Sequence, residues 1–89
     1  MDLPDEVVDD LRTRLRRIAG QVQGIERMLD DGRDCRDVVT QVTAATRALE
    51  QVGFRIVASG LAYCISEPEA AEQEGFQVAE VEKMFLKLA

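Results

Sequence analysis

The strongest constraint on this chain is a run of apolar residues whose spacing alternates between three and four: Val8, Leu11, Leu15, Ile18, Val22, Ile25 and Leu29. Such spacing writes a narrow stripe along a helix, sustained over three heptads, of the kind that packs against another helix. A second stripe follows at Val38, Val42, Ala45, Leu49, Val52, Ile56, Ser59 and Tyr63, and one step back it takes in Cys35. A further line of Val39, Thr46, Val57, Leu61 and Cys64 widens this face, as expected of a helix with more than one neighbour. Asp2 and Asp5 around Pro4 suit the start of the first helix, and Gly32 suits its stop. Ser66-Glu-Pro-Glu69 has the form of a capping box and predicts a third helix. Val78, Val81, Phe85 and Leu88 carry that helix to the end, with Gly75 weakening its first half. There is no strand pattern, repeat or low-complexity tract. The expected fold is all-α, with three helices in one domain over residues 1–89.

At 89 residues a single core is marginal without partners. A compact chain of this length has a radius of gyration of about 12 Å. Cys35 and Cys64 lie 29 positions apart on what reads as one helix, a separation of roughly 43 Å. Such a rod overhangs a compact monomer and leaves apolar surface wet, so self-association is expected. The two sulfurs cannot bond within one chain. They meet only if a second copy of the helix runs antiparallel to the first. No apolar run is of membrane-spanning length, and the acidic start Met1-Asp-Leu-Pro-Asp-Glu does not read as a signal peptide. A cytoplasmic setting is expected, with no membrane partner. There, two cysteines point to reactive, metal-bound or inert thiols before a permanent disulfide.

The chain contains no histidine, which removes the commonest metal ligand and the usual general base. Thiol chemistry remains, or a soft metal held by thiolates alone. Nothing resembles a base, an oxyanion hole or a cofactor loop, so no enzyme is expected. Asp34 is the expected N-cap of the second helix and puts Cys35 in its first turn, between Arg33 and Arg36. The helix dipole and the guanidinium groups there favour a thiolate, partly opposed by Asp34 and Asp37. Cys64 ends the same helix, where the dipole disfavours a thiolate. One sulfur thus suits a nucleophile and the other a resolving partner. The plainer readings are a small residue at a helix start for Cys35, and a buried small hydrophobe beside Tyr63 and Ile65 for Cys64. Gly60 costs a helix about 1 kcal/mol relative to Ala, so it asks for a reason.

A net charge of −6, from 17 acidic and 11 basic residues, argues against a general nucleic-acid coat. The charge is nevertheless polarised. Arg12, Arg14, Arg16 and Arg17 fall between Leu11 and Ile25 with no acid among them, fanned over the solvent arc, and Arg27 shares a face with Arg16. Arg36 and Arg47 lie three turns apart on one face of the second helix. From Glu67 onward six acids face only Lys83 and Lys87. A solvated helix face is one reading of the arginines. The other is a phosphate-binding surface, repeated by symmetry until it spans a duplex.

Three segments, Arg14-Leu-Arg-Arg-Ile-Ala-Gly-Gln-Val-Gln-Gly-Ile25, Gly32-Arg-Asp-Cys-Arg-Asp-Val-Val-Thr-Gln41 and Ser59-Gly-Leu-Ala-Tyr-Cys64, carry a resemblance. From about Arg12 to the end, the chain resembles the copper-sensitive operon repressor (CsoR) family. The resemblance implies an all-helical transcriptional repressor whose chains pair as an antiparallel four-helix bundle, with two dimers forming a tetramer. It implies arginine-rich surfaces of the first two helices, here Arg12, Arg14, Arg16, Arg17, Arg36 and Arg47, on operator double-stranded DNA. Copper-sensing members place cysteines where Cys35 and Cys64 stand and a histidine one turn before the second, which here is Gly60. Nickel and cobalt sensors need still more nitrogen ligands, and formaldehyde sensors also use that histidine. A cysteine pair without it is similar to the persulfide-sensing branch, the CsoR-like sulfurtransferase repressors (CstR). Gln51 stands where many members carry an arginine, with Arg47 and Arg55 close by.

The expectation is therefore a repressor that binds DNA with both thiols reduced and needs no cofactor. Persulfide or polysulfide would release it by forming Cys35–Cys64 di- or polysulfide bridges between chains. The alternative is a Cu(I)-responsive repressor holding the ion through the same two cysteines. Zinc is disfavoured, because a structural site wants four ligands. A third reading is a structural helical module with inert cysteines and no salt-dependent DNA binding.

Overall fold

A computed structural model describes residues 1–89 as four α-helices and no strand: α1 Asp5–Asp30, α2 Cys35–Ser66, α3 Pro68–Gln73 and α4 Val78–Leu88. The all-α expectation holds. The count of three helices does not, because the expected third helix is two. No helix is long and apolar enough to cross a membrane. The helices distribute over two compact units, one of Met1–Val8 with Gly53–Ala89 and one of Asp9–Val52.

Within Asp9–Val52, α1 ends in a Schellman motif. The Gly32 N–H bonds the Leu29 carbonyl at 3.2 Å and the Arg33 N–H bonds that of Met28 at 3.0 Å. Gly32 sits at φ 68°, a left-handed conformation that glycine adopts without a Cβ penalty. The α1 stripe is covered on one line only. Leu11 and Ile18 are buried, whereas Leu15, Val22 and Leu29 are 42%, 52% and 64% exposed. On α2 of this unit Val39, Val42 and Leu49 are exposed as well. The stripe thus lies at the boundary of what one chain covers.

In the other unit the core is built on Cys64, Ala71 and Val81, with Val57, Tyr63, Phe76 and Met84 packed against it. Phe54 and Phe85 tilt against each other with ring centroids 5.9 Å apart, and Tyr63 and Phe76 at 6.3 Å. Proline explains where α2 stops. A residue preceding proline is pushed out of the helical region, and Glu67, before Pro68, stands at φ −131°, ψ 61°. The break therefore falls at Glu67. Ser66, expected as a cap, is instead the last residue of α2, and Glu67 takes the cap position without a side-chain bond. A second Schellman motif then ends α3. The Gly75 N–H bonds the Glu72 carbonyl at 3.0 Å and the Phe76 N–H that of Ala71 at 2.8 Å, with Gly75 at φ 70°. The apolar residue after the glycine, Phe76, folds back onto the cluster that holds Ala71, the contact that commonly accompanies this cap.

Candidate functional site

Cys35 is the first residue of α2 and is exposed. The helix starts there because Asp34 caps it: its Oδ1 accepts the Arg36 backbone N–H at 2.8 Å, satisfying one of the unpaired donors of the first turn. The Arg36 side chain also turns onto this carboxylate, with Nε donating to Oδ1 at 3.1 Å and Nη2 to Oδ2 at 3.0 Å. The Arg36 guanidinium, with its backbone N–H, holds the Asp34 carboxyl below the usual carboxylate value. In return the carboxylate raises the Arg36 pKa. Arg33 pairs with Asp37 at 3.7 Å. Both guanidinium charges beside Cys35 are thus offset by carboxylates.

Cys64 lies in the last turns of α2 and is buried. Its Sγ donates to the Phe76 carbonyl oxygen at 3.6 Å, a weak bond to the α3–α4 turn. A cavity of about 190 Å³ adjoins it, lined by Pro68, Ala71, Phe76 and Gln77 among others. Beside it, the Tyr63 hydroxyl donates to Glu74 Oε1 at 2.9 Å. That bond, followed by burial, raises the tyrosine pKa. Gly60 finds its reason here: a Cβ on it would stand 3.1 Å from Phe76 Cζ and 3.4 Å from Met84 Cε. The missing side chain lets the α3–α4 segment close over α2.

Arg12, Arg14, Arg16 and Arg17 are all exposed on α1, and Arg36 and Arg47 are exposed on α2. Arg14 Nε donates to Asp10 Oδ2 at 3.0 Å. Arg14 and Arg17 come together in a groove of about 270 Å³ with Ile18, Gln21, Ala48 and Gln51. Arg36 is committed to Asp34. No trio of His, Cys, Asp or Glu side chains that could hold a metal gathers within the chain.

Sequence reasoning missed Phe76, Met84, Gln21 and the pairing of Arg14. The four-residue spacing of Asp10 and Arg14 signals that pair, and an apolar residue directly after a helix-ending glycine signals Phe76. Nothing local signals Met84 or Gln21, whose surroundings depend on how helices pack.

Residues 8–87 match the family described as metal-sensitive transcriptional repressor. The copper-sensing transcriptional repressor RicR of Mycobacterium tuberculosis is 40% identical over 62 residues, 70% of this chain and 65% of that protein. The chain thus spans just under two thirds of that relative. The copper-sensing transcriptional repressor CsoR of Bacillus subtilis is 30% identical over 82 residues, 89% of this chain and 81% of the relative. Among solved structures, the copper-sensing repressor CsoR with Cu(I) from Geobacillus thermodenitrificans aligns with a TM-score of 0.74 at 29% identity. That alignment covers 96% of this chain and 85% of the other. These relatives are transcriptional repressors and not enzymes.

Proposed function

We propose that this chain, which belongs to the metal-sensitive transcriptional repressor family, binds operator DNA and lets go when Cu(I) is held between Cys35 of one copy and Cys64 of another. The observation that carries this reading is the donor set. The chain has two thiols and no imidazole, thiolate sulfur is the donor that selects Cu(I), and the relatives are copper-sensing. The residues fit the ion: Cys35 is open to solvent, and Cys64 has only one weak bond to surrender. With no ligand trio inside one chain, the site is assembled from two copies. When bound, Cu(I) would supply two soft metal–thiolate bonds that tie the chains together.

The copies run antiparallel, because α2 carries Cys35 at its start and Cys64 near its end, and two such dimers pair into a tetramer. Leu15, Val22, Leu29, Val39, Val42 and Leu49 supply apolar surface for this. At about 1 kcal/mol for each half-exposed side chain, both helices of two copies give on the order of 10 kcal/mol. That is comparable with the cost of association, whereas α1 alone falls short. Resting thiols must be reduced, which fits a cytoplasmic setting.

DNA phosphates are taken by Arg12, Arg14, Arg16, Arg17 and Arg47, with Arg36 contributing less because Asp34 holds it. Moving the assembly from mostly DNA-competent to mostly released needs about 10⁴-fold preference for the released state. A ligand on exposed Cys35 alone has little to tell the two states apart. Engagement of Cys64 in its closed unit is what gives that preference. Fluorescence anisotropy with operator DNA tests the reading. Sub-stoichiometric release by Cu(I) is expected to fail, and release is expected to be complete at one ion per cysteine pair. Arg16→Ala should lower the salt slope by about one. An unchanged slope would remove the arginine assignment, and no salt-dependent binding at all would leave only a structural module.

One observation favours a second reading, in which the effector is a reactive sulfur species: a chain without imidazole has an exposed thiol and a buried one. The Cys35 thiolate would take the sulfane sulfur of a persulfide and release the carrier as a thiol. The Cys64 thiolate of the facing copy would then attack the inner sulfur, expelling hydrosulfide and leaving a disulfide. Longer polysulfide donors would leave tri- or tetrasulfides. Non-reducing gels and intact mass after polysulfide treatment decide between the readings. A chain-to-chain bridge that alone releases DNA selects sulfur, and release by Cu(I) under a competing chelator selects copper.

A further inference from the structure

Soft donors in this chain are few: two cysteines, three methionines and no histidine. Of the methionines, Met84 packs against the cluster built on Cys64, Ala71 and Val81. It reaches there from α4, and its Cε lies 3.4 Å from where a Cβ on Gly60 would stand. Gly60 precedes Cys64 by four residues, so the two share one face of α2. In a helix the Cα–Cβ bond tilts toward the N-terminus, so the Cys64 side chain leans toward the Gly60 turn. The methyl end of the Met84 thioether therefore shares the space over Gly60 with the Phe76 ring, on the side toward which the Cys64 Cα–Cβ bond tilts. Thioether and thiolate sulfur are both donors that select Cu(I). Three rotatable bonds let a methionine sulfur adjust to what it meets.

We propose that Met84 is a third sulfur ligand, its Sδ joining the Cys64 thiolate and Cys35 of a second copy around one Cu(I). This rests on the Cu(I) reading above. Binding turns the Cys64 thiol and the second copy's Cys35 thiol into thiolates, whose two protons go to solvent, and ends the Cys64 S–H donation to the Phe76 carbonyl. Met84 gives a lone pair and loses no proton, and no electron changes hands. A chain without imidazole thereby reaches three-coordination on sulfur alone. A Cβ at Gly60 would press on the Phe76 ring at 3.1 Å and only touch Met84 Cε at 3.4 Å, so the bare glycine leaves room for both side chains over this turn.

The test is Cu(I) affinity under a competing chelator, with X-ray absorption at the copper edge, on the full chain. Wild type should show three sulfur neighbours. Met84→Leu keeps the volume and removes the sulfur, and should weaken binding by at least the roughly tenfold that losing even an outer partner costs. Met28→Leu should bind as wild type, and circular dichroism should show both variants folded. Two sulfur neighbours in wild type, or unchanged affinity in Met84→Leu, would overturn the ligand role while leaving the Cu(I) reading standing. A wild type that yields its copper to the chelator would overturn both. The absorption count is read on wild type alone, so it decides even if the variant folds poorly.

Discussion

Cys35 and Cys64 stand near the two ends of one helix, yet their surroundings have almost nothing in common. Cys35 is exposed, among ion pairs made by its sequence neighbours: Asp34 with Arg36 and Arg33 with Asp37. Cys64 is buried in a cluster whose members come from α2, α3 and α4. The first setting is written locally and survives as long as the helix start does. The second exists only while α3 and α4 lie against α2. The chemical character of a thiol is here decided less by its place in the helix than by whether distant segments fold over it.

The largest test of that contrast is Phe76→Ala. Phe76 is half-buried, so its truncation should cost about 2 kcal/mol and raise the open fraction around Cys64 up to about 30-fold. Alkylation of Cys64, followed by peptide mass in the chain that keeps both thiols, should accelerate accordingly, while Cys35 reacts at its wild-type rate. Equal acceleration of both thiols would mean that the two settings are not independent. Next come the two left-handed glycines. Gly75→Ala and Gly32→Ala should each cost about 1 kcal/mol. Only Gly75→Ala should speed Cys64 alkylation, which a thermal melt and the same mass assay would separate.

The smallest effects are on pH. Asp34 is held below its ordinary value, so its contribution is whole above an unfolded pKa of about 3.9. It is lost as pH falls through the folded value. Tyr63 is raised, so its contribution is whole below an unfolded pKa of about 10 and is lost as pH rises through the folded value. NMR titration should therefore show the α2 start loosening in acid and the Tyr63–Glu74 contact loosening in alkali. Loss of both at the same end of the pH scale would contradict the hydrogen bonds described.

Much of this was legible beforehand where short-range chemistry decides. The stripe from Val8 to Leu29 predicts α1, Gly32 its stop, and Asp34 the start of α2. The break at Glu67 was readable too, because Pro68 forces it, but the Ser66 capping pattern competes for the same place and points one residue early. The division of α3 from α4 hides in Gly75, which weakens a helix by composition alone and ends it only because Phe76 finds Ala71's cluster. Which half of the stripe is covered, Leu11 and Ile18 or Leu15 and Val22, is set by packing that no single segment encodes. For the candidate site, the identity of the two sulfurs came from composition, whereas Met84 and the closure over Gly60 came only with the fold.

The unbroken run of α2 from Cys35 to Ser66 also acts as a ruler. Both sulfurs belong to this one helix, so in the antiparallel pairing proposed above, sliding one copy along another would shift both meeting points together. A slip of one heptad displaces each by about 10.5 Å, far beyond any sulfur–metal or sulfur–sulfur bond. In that proposed pair, crosslinking yield at either end would report the alignment of both copies, and neither end could be satisfied while the other was misaligned.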